Sequence, residues 1–160
     1  MSTVATDTLD AETHRRLGME LYNHTWSLLE KADRTPEQDD EMVFTTHASS
    51  YHWSKSGGTL ANAARGHWQI ARVYATLGRG EPAVWHAHRC LELAEAAGAA
   101  GVADDWDLAA ALEALARAQA VAGDTAGARA ALARARAALD LIADTEDREQ
   151  IEQDVNSITI

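Results

Sequence analysis

The residues of this 160-residue chain whose types could carry chemistry are seven histidines, five tryptophans and a set of arginines in its middle. His47, His52, His67, His86 and His88 fall within 42 residues and alternate with Trp53, Trp68 and Trp85. Imidazole titrates near neutrality and ligates metals, so such a segment invites a metal or acid/base reading. Helical spacing argues against a local metal site. His47 and His52 are five residues apart and diverge, and His86 and His88, two apart, point to nearly opposite sides. Only His88 and Glu92 have the spacing of a ligand pair. Neither a metal nor another cofactor is therefore expected. If different helices did converge on a metal, His24, His47 and His67 are the candidates to face it. A buried histidine more often only satisfies its hydrogen bonds.

The arginines follow a different pattern. Arg65, Trp68 and Arg72 step by three and four, and Glu113 and Arg117 by four, so each set shares one helix face. Arg72–Glu113 and Glu113–Arg117 could be ordinary surface ion pairs, which contribute little. They could equally be the polar wall of a binding groove. Cys90, the single cysteine, excludes an internal disulfide and has no activating base beside it in sequence, so it reads as a core thiol. Gly78-Arg79-Gly80-Glu81-Pro82-Ala83 matches a dinucleotide fingerprint only as text, because no strand precedes it. Ser54-Lys55-Ser56-Gly57-Gly58-Thr59 before a helix could cradle an anion, although a flexible turn is the commoner use of such a stretch.

The elements that must position these groups are all helical by punctuation. Apolar positions recur with helical period and no segment alternates as a strand would. A first helix is expected from Asp10 to about Ala32, with Leu17, Leu21, His24 and Leu28 on one face. Thr35-Pro36-Glu37-Gln38 combines a capping threonine, proline at the first helical position and glutamine at the third, and starts a second helix that ends at Lys55 to Gly58. Thr59 caps a third, to Leu77, and Pro82 opens a fourth that ends near Gly98. A fifth is expected from Asp105 to Val121, a sixth from the Gly123-Asp124 turn to near Ile142, and a short seventh from Asp144 or Thr145.

Sliding the chain by 45 residues superposes Ala71 on Ala116, Arg72 on Arg117, Ala75 on Ala120, Gly78 on Gly123, Ala83 on Ala128 and Arg89 on Arg134. Two hairpins share one plan over residues 64–140. Small residues where the helices cross, with a glycine before the returning helix, resemble the tetratricopeptide repeat. Ala71, Tyr74, Gly78, Ala83, Ala87 and Cys90 stand at its positions in one unit; Ala116, Gln119, Gly123, Ala128, Leu132 and Ala135 stand there in the next. The period exceeds that family's, which is about 34 residues. The resemblance implies an all-α stack of about three antiparallel hairpins, the first two helices forming a divergent unit and the last helix a C-terminal cap. It also implies that the first helix of each hairpin lines a concave groove, placing Arg65, Trp68 and Arg72 from one unit and Ala110, Glu113 and Arg117 from the next along it.

The expected domain organisation is a disordered N-terminus over 1–8 and a single helical-repeat domain over 9–160. A net charge of −11 argues against nucleic acid, whose backbone requires a basic surface. MSTVATDTLD has no basic or apolar leader, and no run approaches the roughly 20 apolar residues of a membrane helix. A cytoplasmic protein without membrane contact is expected, with homo-oligomerisation open. The function expected is a non-catalytic binding module whose groove holds an anionic peptide or small anionic ligand through Arg65, Arg72 and Arg117, with Trp68 as an apolar platform and Glu113 offsetting part of the charge. The alternative is a metal-dependent or acid/base enzyme using segment 47–88 with Glu113 as general base.

Overall fold

The computed structural model of the chain describes residues 8–160, so nearly all of the expected N-terminal tail lies outside the described residues. Among the described residues there are seven α-helices and no strand: α1 Ala11–Leu29, α2 Pro36–Lys55, α3 Leu60–Thr76, α4 Gly80–Ala99, α5 Asp107–Val121, α6 Thr125–Leu139 and α7 Thr145–Asn156. Local chemistry accounts for most of their ends. Asp10 accepts from the Thr13 amide at 2.7 Å. Thr35 with Gln38, and Thr59 with Asn62, close reciprocal capping boxes on α2 and α3. Asp124 and Asp144 cap α6 and α7. Only α4 and α5 begin without a side-chain cap.

Consecutive helices pair as hairpins, α1 with α2, α3 with α4 and α5 with α6. The hairpins stack through α2 on α3 and α4 on α5, while α1 meets α3 and α3 meets α5, so the first helices of the hairpins share a side. α7 packs on α5 and α6 at the end of the stack. The 45-residue correspondence holds at the turns: Gly78 and Gly123 both have positive φ, 70° and 82°. The amide after each glycine bonds the carbonyl five residues back, Arg79 to Tyr74 and Asp124 to Gln119, both at 2.9 Å.

Alanine dominates the core. Ala71, Ala83, Ala87, Ala109, Ala111, Ala116, Ala118, Ala128 and Ala135 are essentially inaccessible, which lets helix axes approach closely. The first hairpin departs from that plan. Its buried face on α1 is His14, Gly18, Thr25 and Leu28, not the Leu17, Leu21, His24 and Leu28 stripe, and His24 is exposed. The seam is polar and internally satisfied: Thr25 pairs with Thr45, Thr46 donates to Gln69, Ser49 donates to the Gly18 carbonyl and Gln69 to the Tyr22 carbonyl. Gly18 admits the Trp53 ring, which a Cβ there would meet at 3.0 Å. No helix among the described residues is long and apolar enough to cross a membrane.

Candidate functional site

The side of the stack where the first helices meet carries an aromatic ladder. Trp26 of α1 lies 5.3 Å from Trp68 of α3 between ring centroids, and Trp68 lies 6.3 Å from Trp106 at the start of α5. Tyr22, one turn before Trp26, continues the ladder at 6.2 Å. Two adjoining hollows open over it and share Tyr22 and Trp106. One, of about 350 Å³, is walled by Met19, Trp53, Asn62 and Arg65. The other, of about 560 Å³, is walled by Trp26, Glu30, Trp68, Arg72, Gln150 and Asp154.

Of the residues expected along the groove, Trp68, Arg72, Glu113 and Arg117 meet at the seam of α3, α5 and α7, Arg65 sits apart on Asp104 and Asp107, and Ala110 is buried in the core. Glu113 is the hub. It is fully buried, and it accepts from Trp68 Nε1 at 3.2 Å, Arg72 Nη2 at 3.1 Å and Arg117 Nε at 2.6 Å. The repeat partners Arg72 and Arg117 thus converge on one oxygen, Oε1. Arg72 also meets Asp154 at 3.1 Å, and Arg117 donates to the Asp154 carbonyl and Ser157 Oγ. Arg65 makes a two-pronged pair with Asp107, both contacts at 2.8 Å, adds Asp104 at 2.6 Å, and lies 4.4 Å over the Trp106 ring. Burial raises the Asp154 carboxyl above its usual value, and Glu113 adds to the rise while Arg72 opposes it.

These contacts alter the electrostatic premise read from the sequence. Glu113 is not alone in compensating the arginines; Asp104, Asp107 and Asp154 do the rest, so each of Arg65, Arg72 and Arg117 has a carboxylate partner. One donor is left over: the buried Nε of Arg72 has no acceptor. Glu113 as a general base meets a physical objection too, since it is inaccessible and its partners are two guanidiniums and an indole. The sequence reading missed Tyr22, Trp26, Trp106, Asp107 and Asp154, because none lies in the 45-residue correspondence. The available signal was compositional: five tryptophans against one phenylalanine.

The histidines divide into separate groups. His24, one of the three conditional metal candidates, bonds Glu41 at 2.8 Å on the surface, away from the contacts of His47 and His67. His47 Nε2 meets the Tyr74 hydroxyl at 2.9 Å, and its ring is 5.6 Å from His86. His67 and His86 face each other, Nδ1 to Nδ1 at 2.9 Å with centroids 5.1 Å apart, so the two nitrogens point at one another and not at a shared third point. His14 and His52 pair similarly, at 2.7 Å, across α1 and α2. Among the described residues no three His, Cys, Asp or Glu side chains are placed to hold a metal ion. Burial lowers the basicity of His47, His67 and His86, the last to about 4, with His67 and His47 adding to the effect on His86.

Other motifs resolve as structure. At the end of the Ser54 to Thr59 loop the Thr59 amide donates to Asn62 Oδ1 and Thr59 Oγ1 accepts from the Asn62 amide, which closes the α3 capping box. Glu92 pairs with Arg89, its neighbour on α4, in place of His88. Cys90 is a buried free thiol, and burial pushes its pKa well up, with Asp107 and Glu113 adding to the rise. Comparisons of the chain with protein-family models, with curated proteins and with solved structures found no match.

Proposed function

We propose that the chain is a non-catalytic binding module of the tetratricopeptide-like kind, and that the aromatic side of its hairpin stack holds a small organic ligand. The observation that carries this reading is the Tyr22–Trp26–Trp68–Trp106 ladder, which lines two adjoining hollows of about 350 and 560 Å³. Hollows in the range of about 300–1,000 Å³, with apolar walls and a few placed polar groups, are typical small-ligand sites. A ladder of four rings exceeds what core packing needs, because its members are only partly buried. The hub beneath supports the reading as well. Glu113, Arg72 and Arg117 hold Trp68 and the α3–α5–α7 seam rigid, so the rings need little reordering on binding.

The test uses the rings as reporters. Tryptophan emission and melting temperature are followed across a library of small compounds with aromatic or alkyl bodies. A binder should perturb the emission and raise the melting temperature, and Trp26→Ala should weaken it severalfold, the value of one aromatic contact at about 0.5–1.5 kcal/mol. A library in which nothing raises the wild-type melting temperature sinks the reading, as does a hit that binds Trp26→Ala and wild type equally.

A further inference from the structure

The charge lining the groove indicates which kind of small ligand it takes. The larger hollow is lined by one guanidinium, Arg72, and two carboxylates, Glu30 and Asp154, and the smaller by one guanidinium, Arg65; Arg117 lies behind them on the buried Glu113. Each guanidinium is already paired: Arg65 with Asp104 and Asp107, Arg72 with Glu113 and Asp154, Arg117 with Glu113. Glu30, exposed on the wall of the larger hollow, makes no ion pair among the described residues. Arg34, four residues on, donates to the Leu29 carbonyl and is tied to Asp39 at 2.7 Å, and Lys31, next to Glu30 in the chain, is exposed. The surplus in the larger hollow is thus negative, as is the chain as a whole at −11.

Ring faces add to that surplus. The electron-rich face of an indole attracts a cation within about 6 Å of its centroid. The protein already uses this twice here, Arg65 over Trp106 at 4.4 Å and Arg72 over Trp26 at 5.7 Å. Trp68 and Tyr22 line the same hollow and have no such internal cation among the described residues. A negative wall beside aromatic rings that carry no internal cation complements an ammonium on an apolar body.

We infer that the larger hollow, walled by Tyr22, Trp26, Glu30, Trp68 and Asp154, is a site for a small organic cation, an aromatic or alkyl ammonium. The inference rests on the small-ligand reading above and reverses the anion expected from the arginines alone. The positive end lies between the Trp68 and Tyr22 rings and the Glu30 carboxylate, and the apolar body lies along the ladder toward Trp106.

Three probes with one aromatic body and different charge separate the possibilities: benzyltrimethylammonium, benzyl alcohol and phenylacetate, each titrated against intrinsic fluorescence and by calorimetry. The expected result is that benzyltrimethylammonium binds at least tenfold more tightly than the other two. Raising the salt concentration should weaken it selectively, and Glu30→Gln should narrow its ratio to benzyl alcohol about threefold or more. If benzyl alcohol or phenylacetate binds as well as the cation, the charge preference is overturned while the small-ligand groove stands. A cation preference undiminished in both Glu30→Gln and Trp26→Ala puts the cation somewhere else and overturns the assignment. If none of the three binds, and the wider library is also silent, the groove itself is no site and both readings fall.

Discussion

Glu113 shows how much of this molecule depends on one side chain. A carboxylate with no solvent access is tolerable only if its lone pairs are used, and here an indole and two guanidiniums use them. Truncation would leave Arg117 without its carboxylate and Arg72 with Asp154 alone. Glu113→Ala should therefore cost about 3–5 kcal/mol, the range for removing one partner of a buried pair. Glu113→Gln, which keeps an acceptor oxygen, should cost less. As a control, Glu20→Gln removes the Arg16 pair, whose two side chains are 59% exposed, and should shift stability by no more than about 0.5 kcal/mol. Denaturant midpoints at unchanged m-value measure all three, and a Glu113→Ala midpoint close to the Glu20→Gln one would show that the hub is not structural. The hub was partly legible in the sequence. Spacing put Arg72, Glu113 and Arg117 on facing helix surfaces, and the repeat phase put them in the same place. What spacing could not reveal was burial and the remaining partners. Asp107 and Asp154 lie at no periodic offset from the arginines, and depth depends on how α7 closes over α5, which no local pattern encodes.

Among the elements, the helix ends were the most legible feature, because a cap is a local hydrogen bond between residues three apart. Thr35 with Gln38, and the Gly78 and Gly123 turns, needed nothing beyond their own segment. The α1 face was not legible, since its buried positions are polar and become core only when α2 and α3 supply Thr45, Ser49 and Gln69. The expected start of α5 at Asp105 also moved, to Asp107. Asp105 instead accepts from the Ala143 amide at 2.9 Å and ties the loop to the connection before α7. Two glycines on α4 separate close packing from mere flexibility. At Gly80 a Cβ would lie 2.6 Å from the Ala122 Cα, backbone against backbone where the second hairpin meets the third. Gly80→Ala should destabilise by about 1–3 kcal/mol through forced separation of the helices. At Gly98 a Cβ meets nothing within 4 Å and the backbone is helical, so Gly98→Ala should stabilise by about 0.4–1 kcal/mol by restricting the unfolded chain. Thermal unfolding of the two variants should move in opposite directions. Equal losses would show that α4 does not approach the third hairpin this closely.

Over the whole molecule the histidines are unevenly placed: all lie on the first two hairpins, His47 links the two, and none occurs beyond His88. The His67–His86 contact joins α3 to α4, and His47 with Tyr74 and His86 joins α2 to both. The facing Nδ1 atoms of His67 and His86 can share one proton but not hold two, and Arg89 nearby lowers the basicity of His67 further, after burial. His86 titrates at about 4 in the folded chain against 6.5 ordinarily, so between those values the unfolded chain binds more protons than the folded one. Stability from this group is therefore complete above about pH 6.5 and is lost as pH falls toward 4, and the lowered His47 and His67 act with the same sign. Asp154 works the other way, since its raised carboxyl favours the folded chain as it protonates. Relief of the −11 net charge also favours the compact state as pH falls, so a wild-type scan alone mixes opposing slopes. The difference between wild type and His86→Phe isolates the imidazole cluster, because the substitution keeps a ring at that position and removes the titration. The melting temperature of the variant should fall less steeply than that of wild type between pH 6.5 and 4. Hydrogen exchange should place the acid-sensitive opening in α2, α3 and α4, with α5 and α6 protected to lower pH. Parallel melting curves for the two proteins across that window would show that the cluster does not couple protons to folding, and acid opening that began in α5 and α6 would place the weak point in the alanine-packed hairpin instead.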